Sequence, residues 1–484
     1  MARDSNAVRL RRELLVNLAQ AIFQGDLPER VDRIPLDMLP RNERGQGLRC
    51  CIHSERAILR YRAMALLGFS IQDETDELKP LAEYAREALA RKGRDERLLT
   101  VIEDACSACV QSTYFVSNAC RGCMAQSCSL NCPKQAIRME SGRAVIDPAL
   151  CVDCGRCRDM CSFNAIMRIP IPCEEACPAE AIARGASGKQ EITHDLCIAC
   201  GKCMQACPFG AIAEQSELVD VLSALAVGQE LVVLFAPALA AQFEAPLENL
   251  VGALRRLGFR GVVEVAAGAD QAALAEQIEL EERLEAGDPF MTSSCCPAYT
   301  GLVSARLPKL QPRVSSTPTP LTLAARMAEQ RFPGVPRVFI SPCVAKRREA
   351  LGGSVEHVLT IEELGAALVA RDIEVATCEA SLADIPATNL GRRFAAAGGV
   401  AAAIAGTGGP ETEAISGLGK DSLRRLRLYA SGKGPARFLE VMACEGGCVA
   451  GPCTMAEPKA ARRRIEGAAP GGRGKGRGLD GRMN

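Results

Sequence analysis

The 484-residue chain has almost no histidine: His53, His194 and His357 are all there are, and they stand far apart. That scarcity disfavours zinc sites of mixed Cys/His type and haem held by paired imidazoles, because both need imidazoles within reach of one metal. An excess of either charge is also missing, with 58 Lys+Arg against 58 Asp+Glu, so the basic footprint of a nucleic-acid binder is absent. No stretch approaches the roughly 18 uninterrupted apolar residues of a membrane span. The start, MARDSNAVRLRREL, lacks the apolar centre of a secretory signal. These absences point to a soluble, cytoplasmic protein with no nucleic-acid or membrane partner. The length exceeds one ordinary core and favours several domains.

What the chain does have is cysteine, 25 residues of it. A small secreted domain would use them as disulfides, but a long chain without a signal points to metal or redox chemistry. With so few imidazoles, thiolate-bound iron or zinc is left. Fourteen of the cysteines fall in 116–215, among the related segments NCPKQAI, CSFNAI, ACPAEAI and ACPFGAI. Cys151, Cys154, Cys157 and Cys161 are spaced C-x2-C-x2-C-x3-C, and Cys197, Cys200, Cys203 and Cys207-Pro208 repeat that spacing. In such runs three cysteines bind one 4Fe–4S cluster and the fourth crosses to its neighbour.

A partner half-motif is therefore needed, and Cys120, Cys123, Cys128 and Cys132-Pro133 supply it, slightly stretched. The expected sets are Cys120, Cys123, Cys128 with Cys161, and Cys151, Cys154, Cys157 with Cys132. The arrangement resembles a bacterial two-cluster ferredoxin. Zinc is disfavoured, since its sites use two separated C-x2-C pairs without the trailing Cys-Pro. In the second repeat Met167 and Pro170 replace two expected cysteines ahead of Cys173 and Cys177-Pro178. Cys197, Cys200 and Cys203 still close a third cluster with Cys177. A fourth would need Cys173, Cys207 and two outside thiolates, for which Cys106/Cys109 and Cys50-Cys51 are rival donors.

The hydrophobic pattern divides the chain further. Residues 1–115 read as mainly helical, with Leu14, Leu18 and Ile22 at helical spacing and a second helix expected over 81–93. Residues 116–215 form the ferredoxin-like α+β iron–sulfur domain. From 216 to 460 strand-like runs (232–238, 261–267) alternate with helix-like ones (246–258, 272–284), which predicts an α/β domain. The Arg/Gly-rich end, 461–484, reads as a disordered basic tail. Cys378 reads as a small core hydrophobe, and Arg347-Arg348 as a solvated pair.

Three later segments carry cysteines in a different pattern: TSSCCPAYT (292–300), FISPCVAKRREA (339–350) and EVMACEGGCVAGPC (440–453). Together they resemble the three signature stretches of iron-only (FeFe) hydrogenases. The resemblance implies that Cys296, Cys343, Cys444 and Cys448 hold a 4Fe–4S cube, and that the Cys448 sulfur bridges to a two-iron subsite carrying CO, cyanide and a dithiolate amine. This is the H-cluster. Soft thiolates suit iron at such a site, and Gly446-Gly447 let the backbone turn tightly enough for two thiolates to reach one cube. The resemblance makes Lys346 a cyanide donor and lets Ala236 and Pro237 line the pocket. It makes Cys295 an unliganded proton carrier, with Glu276, Glu279 and Ser315 continuing the relay. Gly398-Gly399 are expected to allow a close helix approach.

The match departs at Ser341, Glu445 and Leu321, where common members carry other residues, and Cys453 has no expected role. The implied activity is reversible hydrogen turnover, with electrons from a soluble carrier such as ferredoxin and maturation enzymes supplying the two-iron subsite. A hydrogen or redox sensor with the same cofactor, and a non-catalytic iron–sulfur assembly protein, are the alternatives.

Overall fold

The computed structural model describes residues 5–41, 51–91, 93, 97–106, 109, 114–406 and 409–467. Its first helix, Asn6–Gln24, starts where the Ser5 hydroxyl accepts from the Val8 N–H and stops at Gly25, whose φ of 76° no helix can continue. Leu14, Leu15, Leu18 and Ile22 pack with residues of the helices Leu218–Ala226 and Ile361–Ala370 in one core. Arg11 and Arg12 add ion pairs to Glu214 and Glu362 beside that seam. The second expected helix runs Leu81–Ala90.

Eight short strands follow: β1 (Leu99–Val101), β2 (Tyr114–Val116), β3 (Ile137–Glu140), β4 (Arg143–Ile146), β5 (Ile166–Arg168), β6 (Ile182–Arg184), β7 (Gln190–Ile192) and β8 (Ile212–Glu214). They pair antiparallel as β2 with β5, β3 with β4, β6 with β7, and β1 with β8. β1 lies upstream of the boundary expected at 115/116, yet its ladder partner is the last strand of the cysteine-rich region.

Two parallel sheets build the remainder. The first joins β9 (Val232–Phe235), β10 (Gly261–Glu264), β12 (Arg337–Ser341) and β13 (His357–Thr360) in the order β10-β9-β12-β13. The second orders β11 (Met291–Thr292), β14 (Thr412–Ser416) and β15 (Phe438–Met442) as β11-β15-β14. Almost every residue of β9, β10, β12 and β15 is buried, which is why these strands are mostly apolar rather than alternating. The helices Val265–Glu285 and Pro320–Arg331 approach so closely that a Cβ at Gly268 would stand 2.1 Å from the Pro320 carbonyl oxygen. The α/β fold, preceded by a ferredoxin-like region and a helical segment, is the one anticipated.

Four local expectations are corrected. The run 261–267 is strand only to Glu264, after which Val265 starts the long helix. The tail does not begin at 461: the helix Pro458–Gly467 covers its first residues, because Ala461 and Ile465, one turn apart, bury against Ala238, Ala241, Ala395, Ala396 and Val449. Its remainder lies outside the described residues. Arg347 is not solvated: it is 1% exposed, grips Glu363 bidentately at 2.8 Å and donates to the Gln215 carbonyl at 2.6 Å. Arg348 donates to the Cys197 carbonyl. Gly398 and Gly399 do not seat a neighbouring helix but start the helix Gly399–Ala405, tight against the Arg393 carbonyl.

Candidate metal centre

In the first sheet β10 and β12 flank β9, so the order in which strands are added reverses between β9 and β12 although all run parallel, and crevices in open parallel sheets form outside strand carboxyl ends at such a switch point. Ala236 and Pro237 follow β9 there, and Pro342-Cys343 follow β12. In the second sheet Cys295-Cys296 come just after β11 and Cys444 just after β15. The topology thus delivers thiols from three separate segments to one place. Cys343 feels the charge of Cys296, and both act on Cys444 and Cys448, so the four candidate cube ligands form one electrostatic group.

Cys448 reaches the group through Gly446 and Gly447, both left-handed at φ 89° and 96°. At Gly447 a Cβ would meet the Ala397 nitrogen at 2.6 Å and the Ala395 oxygen at 2.8 Å. Desolvation, then the neighbouring thiols, raises the pKa of Cys343, Cys444 and Cys448. These thiols keep their protons unless a metal displaces them. Ser341 is buried and takes part in a turn, donating to the Cys343 carbonyl at 2.8 Å and accepting from its N–H at 3.2 Å, while its hydroxyl also reaches the thiol.

Lys346 donates to the Cys295 carbonyl at 3.2 Å and pairs with Glu349 at 2.5 Å. Burial works against its charge, but Glu349, Cys343 and Cys295 outweigh it, and the ammonium stays protonated. Cys295 is partly buried, its thiol pKa driven up by desolvation and then by Glu276. Glu276 accepts from the Ser294 N–H at 3.4 Å and lies near the Ser315 hydroxyl, while its Oε2 has no hydrogen-bond partner. Desolvation pushes its carboxyl up to about 7.

Ser315 donates to Glu279 at 2.7 Å. Ser316, Thr317 and Arg283 donate to the same carboxylate. Burial alone would raise the pKa of Glu279, but these donors win and hold it down to about 2. Cys295, Glu276, Ser315 and Glu279 therefore form a line, and it ends beside exposed Ser316.

The ferredoxin-like loops group as the spacing implied. Cys120, Cys123, Cys128 and Cys161 line one recess, and Cys132, Cys151, Cys154 and Cys157 another. Cys177, Cys197 and Cys200 all act on Cys203. Among the described residues, six of the eight non-glycine residues with positive φ lie in these loops: Gln126, Gln135, Asp153, Asn164, Glu180 and Ala199. Strained backbone of this kind persists where the surroundings demand it. Cys200 also acts on Cys444, and Cys177, Cys197, Cys200, Cys296 and Cys343 border one core, so this set adjoins the four-thiol centre. Cys106, Cys109, Cys173 and Cys207 influence one another as a further group. Cys50 lies outside the described residues, and Cys51 is exposed. Cys378 and Cys453 are buried thiols, and Leu321 belongs to the apolar core.

Glu440 was not anticipated. It is 1% exposed, accepts from the Gly398 and Ala401 N–H groups at 2.8 Å each, and acts on both Cys295 and Cys448. Its sequence signal was a carboxylate inside the otherwise apolar strand FLEVM.

Residues 229–452 match the model of the iron-only hydrogenase large subunit, C-terminal domain. Residues 144–167 match a 4Fe–4S binding domain and 167–218 the LdpA Fe–S cluster-binding domain. Iron hydrogenase 1 of Clostridium pasteurianum is 28% identical over 252 residues, 41% of this chain and 44% of that protein. The chain thus spans less than half the length of that relative. A ferredoxin of Alicyclobacillus acidocaldarius is 38% identical over 53 residues, 11% of this chain and 68% of that one. A solved FeFe-hydrogenase from Chlamydomonas reinhardtii overlays with a TM-score of 0.41 at 23% identity, covering 49% of this chain and 83% of that one.

Proposed function

We propose that this FeFe-hydrogenase-like chain catalyses 2H⁺ + 2e⁻ ⇌ H₂ with an H-cluster at the four-thiol centre, its cube on Cys296, Cys343, Cys444 and Cys448 and its two-iron subsite attached through the Cys448 sulfur. The residues fit such a group. The donors are four thiols with no imidazole near them, and the backbone at Gly447 leaves no room for a side chain. When bound, the two-iron subsite supplies the metal on which protons and electrons combine, and the chain supplies orientation, potential and proton delivery.

Lys346, pinned by Glu349, holds a positive charge beside Cys295 and Cys343, and Ala236 and Pro237 would line the pocket for the two-iron subsite. Cys295 exchanges a proton at its Sγ with the reacting centre and is recharged from Glu276. A carboxyl near 7 suits that task, since it takes up and releases a proton with similar ease at neutral pH. Ser315 passes the proton on by rotating its hydroxyl. Glu279, held ionised, collects it at the mouth.

Electrons come from a soluble carrier such as ferredoxin, through 4Fe–4S clusters on the three cysteine sets that the motif predicts. Met124 and Leu130, 99% and 80% exposed on the first ferredoxin-like unit, support a transient docking face there. Maturation enzymes that insert the two-iron subsite are the second class of partner. Among the described residues no helix is long and apolar enough to cross a membrane, and a cytoplasmic location is part of the proposal.

The observation that carries the reading is the line from partly buried Cys295 through Glu276 and Ser315 to Glu279, starting beside a four-thiol centre. The test is hydrogen production from a reduced viologen, together with deuterium–proton exchange, on protein matured anaerobically. Both activities are expected. A chain with its cofactor loaded that neither produces hydrogen nor exchanges isotope is not a hydrogenase.

A further inference from the structure

The cysteine-rich region contains the same fold twice, one copy inside the other. In the inner copy, Tyr114–Val116 pairs antiparallel with Ile166–Arg168, and the hairpin β3/β4 lies between them. In the outer copy, Leu99–Val101 pairs antiparallel with Ile212–Glu214, and the hairpin β6/β7 lies between them. The cysteines obey the same symmetry. Cys106-x2-Cys109 follows β1 as Cys120-x2-Cys123 follows β2, and Cys173 precedes Cys177 by four residues as Cys128 precedes Cys132. The whole inner copy is inserted between Cys109 and Cys173.

Local geometry at the fourth Cys of each run agrees. The Cys132, Cys161 and Cys177 thiols accept from the N–H four residues on, of Ala136, Ala165 and Ala181, at 3.3, 3.3 and 3.2 Å. In each loop the residue before that alanine is left-handed. Cys207 repeats both features: its thiol accepts from Ala211 at 3.4 Å, and Gly210 has φ 57°. Such N–H···S bonds are how proteins cradle cluster sulfurs.

We propose that Cys106, Cys109, Cys173 and Cys207 hold a fourth 4Fe–4S cluster, completing an outer ferredoxin-like unit into which the first one is inserted.

Packing supports the grouping. Cys106 borders one core that contains Cys173 and another that Cys207 also borders. The Ile102 N–H to Ala211 carbonyl bond, 2.7 Å, fixes the Cys106 turn beside the Cys207 turn. All four thiols are free, and each of the other three raises the pKa of Cys173. Four isolated core thiols would not need a matching C-x2-C pair, a repeated N–H···S turn and a strand ladder to gather them. Zinc fits less well, since among the described residues no three His, Cys, Asp or Glu side chains are set closely enough to hold a single ion.

The test is iron and acid-labile sulfide on the full chain made without the enzymes that build the two-iron subsite, so that only cubes are present. About 20 iron atoms per chain, four for each of five cubes, are expected. Cys109→Ser and Cys207→Ser should each fall to about 16 with unchanged far-ultraviolet circular dichroism, while Cys378→Ser keeps the full count. Iron that neither variant loses, or zinc that is lost in both variants, overturns the proposal. If those variants fail to fold, the count on Cys444→Ser, which lacks the cube of the four-thiol centre, decides: about 16 iron atoms uphold the proposal and about 12 overturn it. Failure of the hydrogenase reading would lower the wild-type count by at most its own cube and leave the loss of about four iron atoms in Cys109→Ser and Cys207→Ser untouched, so the two outcomes are separable.

Discussion

Glu276→Gln should make the protein more stable and less active at once. Below its ordinary pKa of 4.5 the carboxyl is neutral whether the chain is folded or unfolded, so it adds no pH dependence there. Between 4.5 and about 7 the unfolded chain ionises while the folded chain keeps its proton, so stability falls as pH rises through this window and then levels off. At about 1.4 kcal/mol per tenfold difference in proton affinity, the loss comes to about 3 kcal/mol. Glutamine keeps the shape and the Ser294 contact but cannot ionise.

Thermal midpoints should therefore coincide for wild type and variant at about pH 4 and diverge by about pH 8, the variant being higher. Hydrogen production should fall about 10²- to 10⁴-fold at every pH, the usual worth of a positioned proton carrier. Infrared spectra of the wild type should contain a carboxylic acid band that titrates near neutrality and is missing from the variant. Midpoints that run parallel with pH, or a variant of undiminished turnover, would refute the reasoning.

Other expectations can be checked on the same preparation. Cys295→Ala should lose hydrogen turnover about 10²-fold or more while iron content stays whole, because its carbonyl still accepts from Lys346 and only the proton carrier is gone. Lys346→Met should leave Glu349 unpaired and weaken retention of the two-iron subsite, read as loss of its infrared bands with cubane iron unchanged. Glu363→Ala strands the buried Arg347 guanidinium and should cost about 3–5 kcal/mol, seen as a lowered thermal midpoint. Ser341→Ala removes a hydroxyl that reaches the Cys343 sulfur, so the cube should move to a more negative potential in a redox titration followed by electron paramagnetic resonance.

The sequence made the local chemistry legible and left the long-range chemistry hidden. Cys151 through Cys161 could be read from spacing because one loop determines it. The crossing of Cys132 and Cys161 was expected from the same spacing, and each lines the recess of the neighbouring set. The association of Cys106/Cys109 with Cys173 and Cys207 could be raised only as one of two options, since it depends on β1 pairing with β8 across an inserted unit. Arg347 looked solvated because a charged dipeptide usually is. What buries it is Glu363, which the helix Ile361–Ala370 presents as its third residue in a capping box. Glu440 was overlooked for the converse reason: an apolar run advertises a strand and conceals the single carboxylate within it.

The most direct measurement is an infrared spectrum of protein produced anaerobically with the maturation machinery. The account predicts intrinsic bands from metal-bound CO and cyanide, lost when Cys448 is replaced. Full cubane iron and sulfide with no such bands would contradict it, and would leave an iron–sulfur protein without the centre at which hydrogen is made.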